Sequence, residues 1–133
     1  MKKYFLDTNI ILDFLANREP FGQQALKVFN QARLEKVELW TSDNSITTTY
    51  YIISKHISES EARNKISSLL NYVRIQPITK NELILALHSP FKDFEDAVQH
   101  YCAASIEGID GIITRNMRDY KHSVLNVLGP EEL

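Results

Sequence analysis

Acidic side chains stand where apolar runs stop in this chain. Tyr4-Phe5-Leu6 closes on Asp7, with Thr8 and Asn9 directly after it. Asp93-Phe94-Glu95-Asp96 heads an amphipathic stretch that continues through Ala97 and Val98. Gly111-Ile112-Ile113 closes on Thr114-Arg115-Asn116, with Asp119 just beyond. In an open α/β sheet, sites form at the carboxyl ends of the strands. Carboxylates collected there repel one another, so a Mg²⁺ or Mn²⁺ ion is a natural reason to gather them.

Each candidate also has a plainer reading. A carboxylate at the end of a buried strand costs free energy unless it is paired, capped or bound to a cation. Asp7 can cap the helix that follows, or Asn9 can take that role and leave Asp7 free. Asp93 and Asp96 share one helical face, where acids in a first turn also simply favour the helix dipole. Asn116 offers a carbonyl oxygen to a metal or to its water, and Asp119 either reaches the same site or sits in a turn. Arg115 and Lys121 are candidates for phosphate contacts at the rim, or ordinary solvated charges. Asp13, four residues after Asn9, either faces the cleft or answers helix electrostatics. His56, His88, His100 and His122 are scattered without metal-ligand spacing. Neither a glycine-rich phosphate loop nor a nucleophilic serine elbow is present.

The elements that must position these residues alternate to the end of the chain, which predicts a parallel sheet with helices on both faces. Strands are expected over Lys3 to Asp7, Val37 to Thr41, Val73 to Ile75 and Ile109 to Thr114, with a short edge strand over Val124 to Val127. Between them come a short helix capped by Asn9, and helices over Gly22 to Arg33, from Ser42 or Asp43 onward, and over Ser58 to Leu70. Two more are expected over Asn81 to Leu87 and Phe94 to Ile106. Ser58 with Glu61 forms a capping-box pattern. In the last helix, Ala97, Val98, Tyr101, Cys102 and Ser105 are spaced to face the core.

With 133 residues, one domain is the prior, and a core without staples is affordable. A net charge of −2 argues against a broad electrostatic grip on nucleic acid while leaving room for a local basic rim. The lone Cys102 fits a reducing cytoplasm. No stretch approaches the ~20 apolar residues that span a bilayer, so no membrane association is expected.

Taken in order, Asp7-Thr8-Asn9, Asp93-Phe94-Glu95-Asp96-Ala97 and Ile112-Ile113-Thr114-Arg115-Asn116 resemble the PIN-domain family, metal-dependent nucleases that include the VapC-type toxins. The resemblance covers nearly the whole chain, residues 1–133 as a single domain. It implies a three-layer α/β/α fold with a short parallel sheet of four to five strands. It implies Mg²⁺ or Mn²⁺, hydrolysis of RNA phosphodiester bonds, and a place as the toxin of a toxin–antitoxin pair, with an antitoxin protein partner and a homodimer. By the resemblance, Asp7 and Asp96 are the principal metal ligands, with Asp93 beside them. Asn116 and Asp119 complete the catalytic set, and Asn9 and Thr114 support the cleft.

The resemblance departs at one position. The family's acid on the helix after strand two falls near Thr48, where a hydroxyl is a poor substitute for a charged ligand. Asp13 or Asp93 would have to compensate. This departure favours a rival, a catalytically weakened PIN-fold module that binds RNA or a protein partner without cleavage. A phosphatase of the haloacid-dehalogenase type would want a second Asp where Asn9 stands. A receiver domain lacks its acidic pair and its lysine.

Overall fold

A computed structural model describes all 133 residues. Five parallel strands form one sheet in the order β3-β2-β1-β4-β5, from β1 (Lys2–Leu6), β2 (Val37–Ser42), β3 (Val73–Gln76), β4 (Gly111–Ile113) and β5 (Val127–Leu128). Successive side chains on a strand point to opposite faces. Leu6 and Ile113 accordingly enter a core with Ile10, Ile11, Val28 and Phe29, whereas Phe5 and Ile112 enter another with Cys102, Ala103 and Tyr120. The result is the expected three-layer α/β/α arrangement.

Helices α1 (Thr8–Leu15), α2 (Gly22–Arg33), α3 (Asp43–Ile53) and α4 (Glu59–Leu69) contribute to the first core. There the rings of Phe14 and Phe29 stack at 4.0 Å. Helix α5 (Lys80–Leu87) and helix α6 (Phe94–Ala104) serve the other side, and a 3₁₀ turn, Met117–Tyr120, follows β4. No helix is long and apolar enough to cross a membrane.

Local chemistry sets most of the helix starts. Ser42 accepts a hydrogen bond from Ser45 N, Ser58 from Glu61 N and Asp93 from Asp96 N. Two expectations need correction. Asp7, not Asn9, is the N-cap of α1: its extended backbone lets Oδ1 accept from Thr8 N at 2.8 Å. On α6, the buried set includes Gln99 and His100, while Ser105 is exposed. Hydrophobic spacing reads polar side chains as outward, and here two of them point in.

The chain lays β2 and β3 to one side of β1, then returns to lay β4 and β5 on the other. The order therefore reverses between β1 and β4, where a doubly wound sheet opens a crevice beyond its strand ends. Asp7 N still bonds to Ile113 O at 3.0 Å, so Asp7 and Thr114 leave the sheet side by side at that crevice.

Candidate metal centre at the strand switch point

Asp7 is 8% exposed and its carboxylate collects three donors. Oδ1 takes Thr8 N, and Oδ2 takes Thr114 Oγ1 at 2.7 Å and Asn9 Nδ2 at 3.3 Å. Thr114, fully buried, accepts in turn from Asn116 N at 3.0 Å. Even with these donors, burial raises the Asp7 pKa, and the charges of Asp119 and Glu95 push the same way. Asp96, on the first turn of α6, is half-buried. Its carboxyl is pushed up to about 7 by burial, then by the charges of Asp93, Asp7, Asp119 and Glu95. Asp7, Asp96 and Asp119 thus act on one another across β1, α6 and the turn after β4.

This donor set fits a hard divalent cation. It is all oxygen, and crowding already disfavours its anionic forms, which a cation would relieve. A second observation points the same way: Asn9 Oδ1 is a buried carbonyl oxygen without a hydrogen-bond partner, beside Asp7. No three His, Cys, Asp or Glu side chains are drawn together closely enough to hold an ion by themselves. Mg²⁺ does not require that, since it keeps several waters and is commonly bound through one or two carboxylates. Asp7 and Asp96, with Asn9 Oδ1, would be the residues that hold it.

The remaining candidates separate. Asp93 caps α6 through Oδ1 and is exposed. Asn116 and Asp119 are exposed at the crevice mouth. Asp13 does not face the cleft as a ligand: it is fully buried in an ion pair with Arg18 at 3.0 Å and with Arg115. Arg115 also lies over the Phe21 ring at 3.9 Å, so its guanidinium is committed to structure and is not a free phosphate contact. Lys121 is exposed, and Arg118, on the same turn, is a cation that sequence reasoning passed over.

The α3 wall of the site is also defined by the structure. Thr48 is half-buried and makes no hydrogen bond into the site. The side chain of α3 that reaches the end of β1 is Ser45, one turn earlier and fully buried. Ser45 Oγ lies 2.7 Å from Thr8 Oγ1, 3.2 Å from Ser42 Oγ and 3.2 Å from Gln99 Oε1. Ser42 Oγ reaches the same Gln99 oxygen at 2.8 Å. Ser42 caps the helix, so the first turn of α3 itself faces the sheet edge. A neutral cluster of hydroxyls and one amide therefore stands at the α3 wall of the site.

Comparison with known proteins agrees with this fold. The chain is 32% identical over 136 residues to "Ribonuclease VapC1" of Aquifex aeolicus, spanning 98% of this chain and 92% of that protein. Its fold resembles VapBC2 of Rickettsia felis, solved bound to a DNA fragment from their promoter, with a TM-score of 0.71, 15% identity, and coverage of 96% and 98% of the two chains. It also resembles Mycobacterium tuberculosis VapC20, described as a Sarcin-Ricin loop cleaving toxin, with a TM-score of 0.63, 14% identity, and coverage of 82% and 86%. The family model for the PIN domain matches residues 3–118, the span that runs from β1 through Asp7, Asp96 and Thr114 into the turn after β4, and the chain belongs to that family.

Proposed function

We propose that this chain is a Mg²⁺- or Mn²⁺-dependent endoribonuclease, the toxin of a cytoplasmic toxin–antitoxin pair. The observation that carries the proposal is the Asp7 carboxylate, buried at the switch point under three donors while Asp119 and Glu95 press charge upon it and its own charge presses on Asp96. A relative named as a ribonuclease over almost the full length, and fold neighbours described as toxins or toxin–antitoxin assemblies, support the same substrate class and partner.

A bound divalent cation would lower the pKa of water and offset charge on the phosphoryl oxygens. The protein's own part is positional. Thr114 and Asn9 fix the rotamer of Asp7, and the N-terminus of α6 orients Asp96. Asn116 and Asp119 border the open side, where the phosphodiester would enter. Water's oxygen forms the new bond to phosphorus, the bridging P–O bond breaks toward the leaving nucleotide, and the proton released by water passes to a site carboxylate or to solvent. Arg118 and Lys121 would meet neighbouring phosphates. Homodimerisation would use exposed apolar surface, for which Tyr51 on α3 and the Leu83, Ile84, Leu85 and Leu87 run of α5 are available.

The test is cleavage of single-stranded and structured RNA with Mn²⁺ or Mg²⁺. EDTA should stop it, and Asp96→Asn should abolish it in a folded protein. A wild type that cuts no RNA with either metal, while Asp96→Asn retains binding to the same RNA, would favour the non-cleaving module instead. Ser45 and Thr48 are the specific observations behind that second reading, because the α3 residues near the site are hydroxyls and the resemblance expects an acid on this helix.

A further inference from the structure

Tyr120 ends the 3₁₀ turn after β4 and is 2% exposed. Its ring packs with Phe5, Ile112 and Ala103 on the α6 side of the sheet. Alternation along β1 and β4 places Asp7 next above Phe5, and Thr114 next above Ile112, on that same face. On α6, Asp96 lies two turns before Ala103 on the same stripe. The ring therefore stands directly beneath the layer that holds Asp7, Thr114 and Asp96. Its hydroxyl is buried near the Asp7 carboxylate and makes no hydrogen bond of good geometry. Asp7, Asp96 and Asp119 all lie close enough for their charges to reach that hydroxyl, Asp7 nearest of them. An apolar contact on Phe5, Ile112 and Ala103 asks only for a phenyl ring. A buried hydroxyl left unbonded costs free energy, so its presence at this spot calls for a ligand.

We propose that Tyr120 is a positioning residue of the acidic site, its hydroxyl donating to a water shared with Asp7 and Asp119 and so fixing the oxygen shell that a divalent cation and the attacking water occupy. This rests on the metal-dependent nuclease proposed above. A water there receives one hydrogen from Tyr120 and gives its own to two carboxylates, which leaves one lone pair directed away from the protein. Polar contacts longer than a direct hydrogen bond are commonly closed by such a bridging water. Groups that hydrogen-bond to a cation's ligands tune its binding, and losing one typically costs about 10–100-fold in affinity or activity.

Tyr120→Phe removes one oxygen and keeps the ring. Three measurements on the full chain test the proposal: metal-free melting, Mn²⁺ affinity by titration of the free-Mn²⁺ electron paramagnetic resonance signal, and steady-state RNA cleavage. The expected result is a metal-free melting temperature equal to wild type or higher, because an unbonded buried hydroxyl has gone. Mn²⁺ affinity should fall about 10-fold or more. The loss in cleavage should appear in kcat, with KM unchanged. A folded Tyr120→Phe protein with wild-type Mn²⁺ affinity and kcat overturns the proposal. A lowered metal-free melting temperature with unchanged Mn²⁺ affinity overturns it too, by making the hydroxyl a structural contact. If wild type itself neither binds Mn²⁺ nor cuts RNA, the nuclease assignment fails along with it, and that outcome is distinct from the other two.

Discussion

Asp96→Asn is expected to stabilise the metal-free protein, and only at the higher end of the pH range. The Asp96 carboxyl is raised from 3.8 to about 7, first by burial and then by Asp93, Asp7, Asp119 and Glu95. A folded-state pKa above the unfolded value means that the native protein keeps its proton after the unfolded chain has lost it. The stability contribution of that group is fully present below about pH 4, falls as pH rises toward 7, and stays lost above it. At about 1.4 kcal/mol per tenfold, a fully buried group would lose about 4 kcal/mol over this window. Asp96 is only half-buried, so solvent screening cuts the figure to about 1–2 kcal/mol.

Asparagine has nearly the same shape as the protonated acid and carries no charge at any pH. The melting temperatures of Asp96→Asn and wild type should therefore agree near pH 4. The variant should then rise above wild type, by about 4–8 °C near pH 8, for a chain of this size. Millimolar Mn²⁺ should close or reverse the gap, because a cation that binds the native site alone stabilises the protein that keeps the carboxylate. Thermal melts near pH 4, 6 and 8, with and without Mn²⁺, measure all of this. A difference that is flat with pH, or a variant less stable than wild type near pH 8 without metal, would refute the claim that crowding and burial raise this group.

Other substitutions separate structure from site. Asp13→Asn should destabilise the protein by about 2–3 kcal/mol, below the usual cost of breaking a buried ion pair because Arg18 and Arg115 keep some access to water; chemical denaturation measures it, and the Mn²⁺-induced rise in melting temperature should survive. Ser45→Asp should strengthen Mn²⁺ binding where Thr48→Glu leaves it unchanged, as read by Mn²⁺ titration, because Ser45 reaches the end of β1; the opposite order would place the vacant acidic position at Thr48. Replacing Arg118 and Lys121 together by alanine should weaken RNA binding at low salt and flatten its salt dependence, by about 0.7 in the logarithmic slope for each single-strand phosphate that the protein no longer neutralises. Filter binding with a catalytically dead variant gives that slope directly.

Much of the fold was legible because its signals are local. Helix α2 falls where its apolar spacing puts it, and Ser58 with Glu61 starts α4 by two hydrogen bonds exchanged between residues only three apart. The alternation of strand and helix was enough for the sheet, and the sheet was enough to bring Asp7 beside Thr114. What escaped depended on partners far along the chain. Asp13 meets Arg115 across 102 positions, and no spacing near Asp13 announces that pairing. Gln99 and His100 are buried on α6 although their types predict exposure. Gln99 is held there by Ser42 and Ser45, and His100 Nε2 accepts from Val124 N on a loop that the helix pattern cannot anticipate. Tyr120 carries no signal in the sequence, because its hydroxyl matters only once Asp7, Asp96 and Asp119 have been folded around it.

The neutral α3 wall and the raised carboxyls belong to one electrostatic argument. A further acid at Ser45 would sit fully buried beside Thr8, next to an Asp7 whose pKa burial has already raised, and its charge would add to a cluster that without a cation already resists ionisation. Serine avoids that repulsion and lets Gln99 draw β2, α3 and α6 together through neutral hydrogen bonds. The same choice removes attraction for a cation, since fewer fixed anions face it. On the proposed reading, the site would thereby be shifted toward an apo protein that folds securely and a cation held through few carboxylates and much water. In such a site, donors that fix water rather than metal carry a larger share of the geometry. Thr114, through Asp7, and Tyr120, through a shared water, are the side chains so placed, which is why the neutral groups around Asp7, as much as the acids, should control how tightly the proposed site would hold a divalent ion.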